Sequence, residues 1–235
     1  PGNRITPSTP EITGISITIE DFFAPPVVDA VTSIVAVHGQ VARLLSLSTT
    51  GADASELNGN FASSTAISRD TLVIGSPARD IPAVDGGRIF VYQRNAGFGA
   101  PWGQVAQLSG LDTVAGDRFG ESVAIHHDLI AVGAPGADAA ANNGGAVYIF
   151  QRVVGNPNAW TQVAKLLPPA VGAGDAFGSA VAIHGDTVIA GSPNANLPGK
   201  PRSGRAFVFR LASGFWSPVQ TLTAADNRAT GLTGD

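Results

Sequence analysis

Four short apolar runs, separated by turn residues, form a series that recurs along the chain. In its best-defined copy the runs cover residues 122–126, 129–134, 146–151 and 161–167. Each run is rich in β-branched or aromatic residues and is bounded by glycine, proline, asparagine or aspartate, which is typical of β-strands joined by turns. The second run, LIAVGA, is apolar nearly throughout and is therefore predicted to be an inner strand. Asp128 ends the turn before it, where an aspartate can bond neighbouring backbone amides.

This series occurs three times at constant spacing. The segments FASSTAISRDTLVIGSP, FGESVAIHHDLIAVGAP and FGSAVAIHGDTVIAGSP begin at Phe61, Phe119 and Phe177 and align without a gap at an offset of 58 residues. One position of the series holds all the tryptophans of the chain: Trp102, Trp160 and Trp216. Four antiparallel strands repeated at this period predict the blades of a β-propeller, in which each blade covers the face of its neighbour. A solenoid is the alternative architecture.

Two short motifs mark the second copy, the pair Phe119-Gly120 and the Gly-Ala-Pro triplet that begins at Gly133. With the Gly-Asp that precedes the pair and the tryptophan strand that follows each copy, they make the chain resemble the FG-GAP repeat family over residues 58 to 235. This family includes the seven-bladed propeller of integrin α subunits and many bacterial surface and secreted proteins. The resemblance implies an all-β propeller of four-stranded antiparallel blades.

Many integrin-type repeats carry a calcium loop, D-x-D-x-D-G, between their first two strands. In this chain the same connection is only the short turn SRD, HHD or HGD. The copies therefore resemble the calcium-free bacterial variant of the family, and no cofactor is expected. Calcium bound by Asp138, Asn142 and Asn143 is a further hypothesis, but their spacing fits no calcium-loop pattern, and no metal ligand is assigned.

The register of the repeat divides the chain into five parts. Residues 1–26 are predicted to be an N-terminal extension or a closing strand. Residues 27–57 are predicted to be a partial, diverged blade, because VARLLSLS resembles VAKLLPPA, the last strand of a later copy. Complete blades are predicted at 58–115, 116–173 and 174–235, and the last of these ranges includes the start of a further repeat.

Three complete blades are fewer than a closed propeller needs. The sequence ends with Gly234-Asp235, which repeats the pair that precedes Phe-Gly in two of the other copies. We therefore expect a longer protein with a ring of about seven blades. A second copy of the chain, or an N-terminal segment that folds back to complete a four-bladed ring, are the alternatives.

Composition narrows the functional classes. Charged residues make up only 14% of the chain, the formal net charge is −4, and like charges form no run, which argues against a nucleic-acid partner. The absence of cysteine excludes disulfides and thiolate metal sites. No apolar stretch approaches the roughly 20 residues of a membrane-spanning helix. Neither G-x-S-x-G, H-E-x-x-H nor a phosphate-binding glycine loop is present, so no catalytic residue is assigned and the protein is predicted not to be an enzyme.

The connection between the second and third strands varies most between copies, as ARDIPAVDG, GADAAANNG and NANLPGKPRSG. Variable polar loops on a rigid scaffold are common binding sites. Ten residues of these loops are the predicted binding residues: Arg79, Asp80, Asp85, Asp138, Asn142, Asn143, Asn194, Asn196, Lys200 and Arg202. Solvated loops that bind nothing are the alternative interpretation.

Other repeated residues have structural interpretations. His126 and His184 occupy one repeat position at the end of a hairpin, where a turn role is more economical than catalysis. Asp117 and Asp175 are predicted to cap backbone amides at the junctions between blades, rather than to bind a cation. The repeated phenylalanines are predicted to pack between blades, and the tryptophans to hold the outer strand.

These features predict a non-catalytic protein, and the resemblance to the FG-GAP family implies a secreted binding or adhesion scaffold, extracellular or at the cell surface. Its partner would be a protein or a glycan on the variable loops. One alternative is a structural subunit of an extracellular assembly that self-associates through open blade edges. Another is a propeller glycosidase or lyase, which would need unique polar residues at the mouth of the central channel.

Overall fold

The computed structural model describes residues 59–80, 85–94 and 101–224, which all belong to one compact unit. These residues form three four-stranded antiparallel sheets. The strands are β1 (Ser64–Ser68), β2 (Thr71–Ser76), β3 (Arg88–Arg94) and β4 (Trp102–Leu108), then β5 (Ser122–His126), β6 (Leu129–Ala134), β7 (Ala146–Arg152) and β8 (Trp160–Leu166), then β9 (Ala180–His184), β10 (Thr187–Ser192), β11 (Arg205–Ala212) and β12 (Phe215–Leu222). Within each sheet the strands follow one another in chain order. The predicted all-β fold of four-stranded propeller blades is confirmed, and the sheets are named blade 1, blade 2 and blade 3 in chain order.

The three blades fall within the predicted ranges 58–115, 116–173 and 174–235. The predicted N-terminal extension and the predicted partial blade, residues 1–26 and 27–57, lie outside the described residues.

Strands β5 and β6 begin and end at the predicted residues, with the two-residue turn His127-Asp128 between them. The φ of His127 is +54°, the left-handed conformation that such a turn requires. Strands β7 and β8 differ from the prediction by one residue at three of their ends, because the ladder continues until Arg152 pairs with Trp160. Strand β6 lies between β5 and β7, so it is hydrogen-bonded along both edges.

The ladder between the third and fourth strands is interrupted at the same point in every blade. In blade 2, Ala164 pairs with Ile149. Val163 has no partner in the ladder, because Gln162 pairs with the next residue, Phe150. This β-bulge recurs in the other two blades, where the extra residues are Val105 and Val219. The valine three residues after each tryptophan therefore marks a point where the outer strand bends.

The core lies between blades. The buried ring of Phe119 packs edge-on against Tyr148 of its own blade, with ring centroids 5.3 Å apart. It belongs to the same apolar cluster as Val73 and Val91 of blade 1. Phe177 occupies the equivalent place between blades 2 and 3. The prediction that the repeated phenylalanines pack between blades is confirmed for these two.

Glycine allows the backbones of neighbouring blades to approach closely. A Cβ atom on Gly75 would lie 2.1 Å from the carbonyl oxygen of Gly120, and one on Gly133 would lie 1.9 Å from that of Gly178. Real Cβ atoms do not approach an oxygen so closely, so these contacts require glycine. The Gly-Ala-Pro and Phe-Gly motifs of successive copies therefore meet at the junctions between blades.

Candidate functional site

The variable loops lie on the same side of the blades as the connections between blades. The backbone amide of Arg118, in the connection into blade 2, donates to the carbonyl of Asp85 at 3.1 Å. In the next junction, the amide of Gly174 donates to the carbonyl of Asn142 at 2.8 Å. We name this side the loop face and define it by the connections β2–β3, β6–β7 and β10–β11.

One internal hydrogen bond shapes all three loops. An Asp or Asn side chain accepts from the backbone amide five or six residues later, and the amide belongs to a residue with positive φ. The pairs are Asp80 with Asp85 (3.1 Å, φ +49°), Asp138 with Asn143 (2.7 Å, φ +49°) and Asn196 with Arg202 (2.7 Å, φ +54°). Because this bond is local, the two residues that it joins in each loop are held together before any partner arrives.

The side-chain chemistry of the three loops differs between blades. Blades 1 and 2 present carboxylates, whereas blade 3 presents the cations Lys200 and Arg202. The guanidinium of Arg202 donates to Asn194 Oδ1 at 3.2 Å, and Asn143 Nδ2 donates to Asn142 Oδ1 at 2.6 Å. Six of the predicted binding residues are exposed: Asp85, Asp138, Asn142, Asn143, Asn196 and Arg202. Three are half-buried: Asp80, Asn194 and Lys200.

Arg79 is placed differently from the other nine predicted residues. It is only 3% exposed, and its guanidinium carbon lies 5.2 Å from the centroid of the Phe90 ring. The equivalent residues in blades 2 and 3 are alanines, Ala137 and Ala195, and both are buried. The backbone carbonyl of Arg79 accepts from the amide of Gly87 at 3.0 Å. Because two of the three copies have an alanine at this position, the sequence already indicates a buried position there.

The opposite end of the blades carries a cluster of three histidines. The ring centroid of His126 lies 4.5 Å from that of His184 and 4.1 Å from that of His127. His126 Nδ1 accepts from the backbone amide of Gly185, in the turn of the next blade, at 3.1 Å. Between blades 1 and 2 the same link is made by Ser68 Oγ, which accepts from the amide of His127 at 3.1 Å. The repeated position thus links neighbouring hairpins, as its structural interpretation suggested.

Desolvation and neighbouring groups all lower the pKa of the His126 imidazole. Desolvation lowers its pKa, and the nearby positive or protonatable groups His127, His184 and Arg69 lower that pKa further. The neutral form is also the one that can accept the amide hydrogen of Gly185. The geometry and the direction of the pKa shift therefore agree.

An arginine at the end of the third strand was missed by the sequence analysis. Arg152 Nε bonds Asp128 Oδ1 at 2.8 Å, so the carboxylate of the turn aspartate pairs with a guanidinium. The same guanidinium lies 4.3 Å from the ring centroid of Trp160 and donates to Thr71 Oγ1 of blade 1 at 2.8 Å. The equivalent ion pairs in blades 1 and 3 are Arg94 with Asp70 and Arg210 with Asp186. The constant spacing of 24 residues between aspartate and arginine was the available signal.

The predicted capping role of the junction aspartates is confirmed. Asp117 Oδ2 accepts from the amide of Val114 at 2.9 Å, and Asp175 Oδ2 accepts from the amide of Gly172 at 2.7 Å. Both side chains are buried. Burial raises the pKa of Asp117, which the hydrogen bond from Val114 only partly opposes.

Within residues 59–80, 85–94 and 101–224, no group of three or more histidine, aspartate or glutamate side chains is arranged to hold a metal ion. Over the same residues there is no helix of the length and hydropathy needed to cross a bilayer.

Comparison with known families gives one match. The FG-GAP repeat family matches residues 102–150 and 160–209. The first match runs from β4 through β7 and the second from β8 through β11, so each matched unit contains the outer strand of one blade and three strands of the next. No curated protein matches the chain.

Proposed function

Because the chain belongs to the FG-GAP repeat family, we propose that it is a non-catalytic binding scaffold whose loop face engages a protein or glycan partner. The observation that carries this proposal is that one type of internal hydrogen bond recurs in three loops whose side chains differ. The same internal hydrogen bond fixes each loop, while the exposed groups change from carboxylates to amides to cations. A rigid frame with variable tips is suited to selective binding, since ordering the loops costs little on association.

The charges divide the loop face into two regions. Asp80, Asp85 and Asp138 make blades 1 and 2 acidic on this side, and Lys200 and Arg202 make blade 3 basic. A partner with complementary charges would be oriented by this division, because electrostatic complementarity sets register and association rate more than affinity.

Selection from a random peptide phage library tests the proposal, because selected peptides report which surface of a protein binds best. The loop variant combines Asp85→Asn, Lys200→Ala and Arg202→Asn. Asparagine is chosen at 85 and 202 because it tolerates the positive φ of these residues. We expect most selected clones to lose at least about tenfold in binding to this variant, which corresponds to about 1.4 kcal/mol.

The matched control is Arg69→Asn, which also removes an exposed arginine at positive φ but lies at the hairpin end of blade 1. Clones that bind the control normally and fail on the loop variant support the proposal. If clones lose binding to the control and keep it on the loop variant, or bind both equally, the loop face is not the preferred surface.

We place this activity outside the cell, at the surface or in secreted form, on the basis of the family resemblance alone. Fractionation of the source cells, with an antibody to the chain and a cytoplasmic marker protein as reference, tests this part. Recovery of the chain only with the cytoplasmic marker would contradict it.

A structural subunit of an extracellular assembly is the second candidate. It is favoured by apolar residues that are exposed on the face of blade 3 turned away from blade 2, among them Ile189 and Leu222. Molar mass in solution, measured by light scattering across a concentration series, tests it. A fully folded chain that stays monomeric at all concentrations would exclude assembly through this surface.

A further inference from the structure

The two described junctions between blades use one set of contacts. The amide of Phe119 donates to the carbonyl of Gly86 at 2.9 Å, and the amide of Phe177 donates to the carbonyl of Gly144 at 2.9 Å. Each phenylalanine also forms an isolated parallel bridge with the following glycine, Gly87 or Gly145. Each Phe-Gly segment therefore adds a short piece of extended backbone to the preceding blade.

The side chain of Phe177 is covered by the face of blade 2 that is turned toward blade 3. We call the face of a blade that is turned toward the next blade in the chain its far face. The far face of blade 2 presents Ala131, Val147, Ile149 and Leu166, which form one apolar cluster with Phe177. All four residues are at most 4% exposed. The far face of blade 2 is thus an apolar surface against which a Phe-Gly segment packs.

The far face of blade 3 has the same layout, but none of the described residues covers it in the way that Phe177 covers blade 2. By repeat position, Ile189 corresponds to Ala131 and Leu222 to Leu166. Ile189 is 41% exposed and Leu222 is 39% exposed, whereas their equivalents in blade 2 are 0% and 4% exposed. The apolar pattern of a blade junction is therefore present on blade 3 without the junction.

An open cleft of about 250 Å³ lies on this face, between residues 203–206 and 222–224. Three residues that line it have counterparts around Phe177: Gly204 corresponds to Gly145, Ala206 to Val147 and Leu222 to Leu166. The cleft thus corresponds in position to the site that a phenylalanine side chain fills on blade 2.

The backbone at Gly191 also has free space where its equivalents in blades 1 and 2 contact the next blade. Its equivalents, Gly75 and Gly133, are forced to be glycine by a carbonyl of the next blade about 2 Å from a hypothetical Cβ (2.1 and 1.9 Å). A Cβ on Gly191 would meet only Ala180, at 3.6 Å and beyond. Gly191 therefore leaves the room that an approaching glycine carbonyl fills at the two complete junctions.

We propose that the far face of blade 3 is an acceptor surface for the Phe-Gly entry segment of a further FG-GAP repeat. The phenylalanine ring would enter the cleft beside Gly204 and Leu222. Its amide would donate to the carbonyl of Ser203, which occupies the position of Gly86 and Gly144, and its glycine would lie against Gly191. This surface is separate from the loop face, so the inference holds whether or not the loop face binds a partner.

A peptide taken from the chain itself tests the inference. The probe is the acetylated and fluorescein-labelled sequence of residues 174–181, GDAFGSAV, titrated with the full chain and followed by fluorescence anisotropy. We expect saturable binding to the wild-type chain. The peptide with Phe177→Ala should bind about 100-fold more weakly, because it loses a buried aromatic side chain, and the peptide with Gly178→Val should also lose binding.

The chain variant Gly191→Val supplies the second arm. Valine fits a strand interior and meets no close atom at this position, so the variant should fold normally, with unchanged circular dichroism and melting temperature. Its side chain would occupy the space of the incoming glycine and abolish binding of the wild-type peptide. A control substitution at the exposed Val154, Val154→Ala, removes apolar surface in a different loop and should leave binding unchanged.

Three outcomes would overturn the inference. The first is absence of peptide binding to the wild-type chain, which would mean that other residues of the chain already cover the face. The second is equal binding of the wild-type and Phe177→Ala peptides. The third is that the chain forms a dimer which Gly191→Val dissociates but the peptide does not dissociate. In that case a second copy of the chain would occupy this face.

Discussion

His126 Nδ1 accepts a hydrogen bond from the backbone amide of Gly185 across the junction between blades 2 and 3. The preceding junction uses the hydroxyl of Ser68 for the same purpose. A hydroxyl oxygen accepts hydrogen bonds at any pH, whereas a ring nitrogen does so only while it is unprotonated. This hydrogen bond is therefore sensitive to acid at one junction and insensitive at its neighbour.

The first prediction concerns acid stability. The folded-state pKa of His126 lies below its ordinary value of 6.5, so the unfolded chain binds the proton more tightly. The contribution of this group to stability is complete above pH 6.5 and is lost as the pH falls from 6.5 through the lower folded-state pKa. The urea midpoint of the wild-type chain should therefore decrease between pH 7.5 and pH 5, and His126→Ser should make that decrease smaller.

The side chains that lower the pKa of His126 remain in this comparison. His127, His184 and Arg69 are unchanged in the serine variant, so the difference between the two chains isolates the imidazole. The amide proton of Gly185 should also shift with pH in the wild-type NMR spectrum and stay constant in His126→Ser. Parallel urea curves at every pH would contradict the prediction.

The second prediction separates the charge of Asp117 from its capping role. Asp117→Asn keeps an oxygen that can accept from the amide of Val114 and removes a buried carboxylate whose pKa is raised. At pH 7 this variant should be at least as stable as the wild-type chain, while Asp117→Ala should lose about 1–2 kcal/mol. Urea unfolding measures both. Asparagine as damaging as alanine would show that the negative charge itself is required.

The third prediction ranks the repeated phenylalanines. Phe119→Ala should cost about 3–5 kcal/mol, because the ring is wholly buried between two blades. Phe61 packs edge-on against Phe90 but is only half-buried, so Phe61→Ala should cost clearly less. Chemical denaturation of both variants checks the order. A larger loss at Phe61 would contradict the packing between blades 1 and 2.

The fourth prediction compares two equivalent arginines. Arg152 pairs with Asp128, covers Trp160 and bonds Thr71 of the preceding blade. Arg152→Ala should therefore cost about 1–2 kcal/mol through its combined contacts. Arg210→Ala should cost clearly less, because both side chains of its ion pair with Asp186 are exposed and such pairs contribute little to stability. Equal effects in thermal melts would contradict the role of Arg152 as a link between blades.

The blades could be predicted from the sequence because their signals are local and repeated. The bounds of β5 and β6 follow from a turn of two residues and from an apolar run that ends in Gly-Ala-Pro. The positions of Phe119 and Phe177 follow from the motif they share with their neighbours. A single copy of these signals is weaker than three copies in one register.

The remaining features depend on contacts that a linear pattern does not show. The bulge at Val163 is a property of pairing between two strands, and the apolar pattern of β8 continues through it. Arg79 is polar and follows a strand, which favours a surface loop, yet its repeat position is buried in all three described blades. The partner of Asp128 lies 24 residues away on another strand, which no local turn rule identifies.

The boundaries of the matched FG-GAP units have a mechanical consequence. The first matched unit ends at β7, one strand short of a complete sheet, and the second unit supplies that strand through β8. The ladder between β7 and β8 therefore joins the two units. Tension along the polypeptide would have to open that ladder before one unit could move away from the other, so the two units should respond to force as one coupled body.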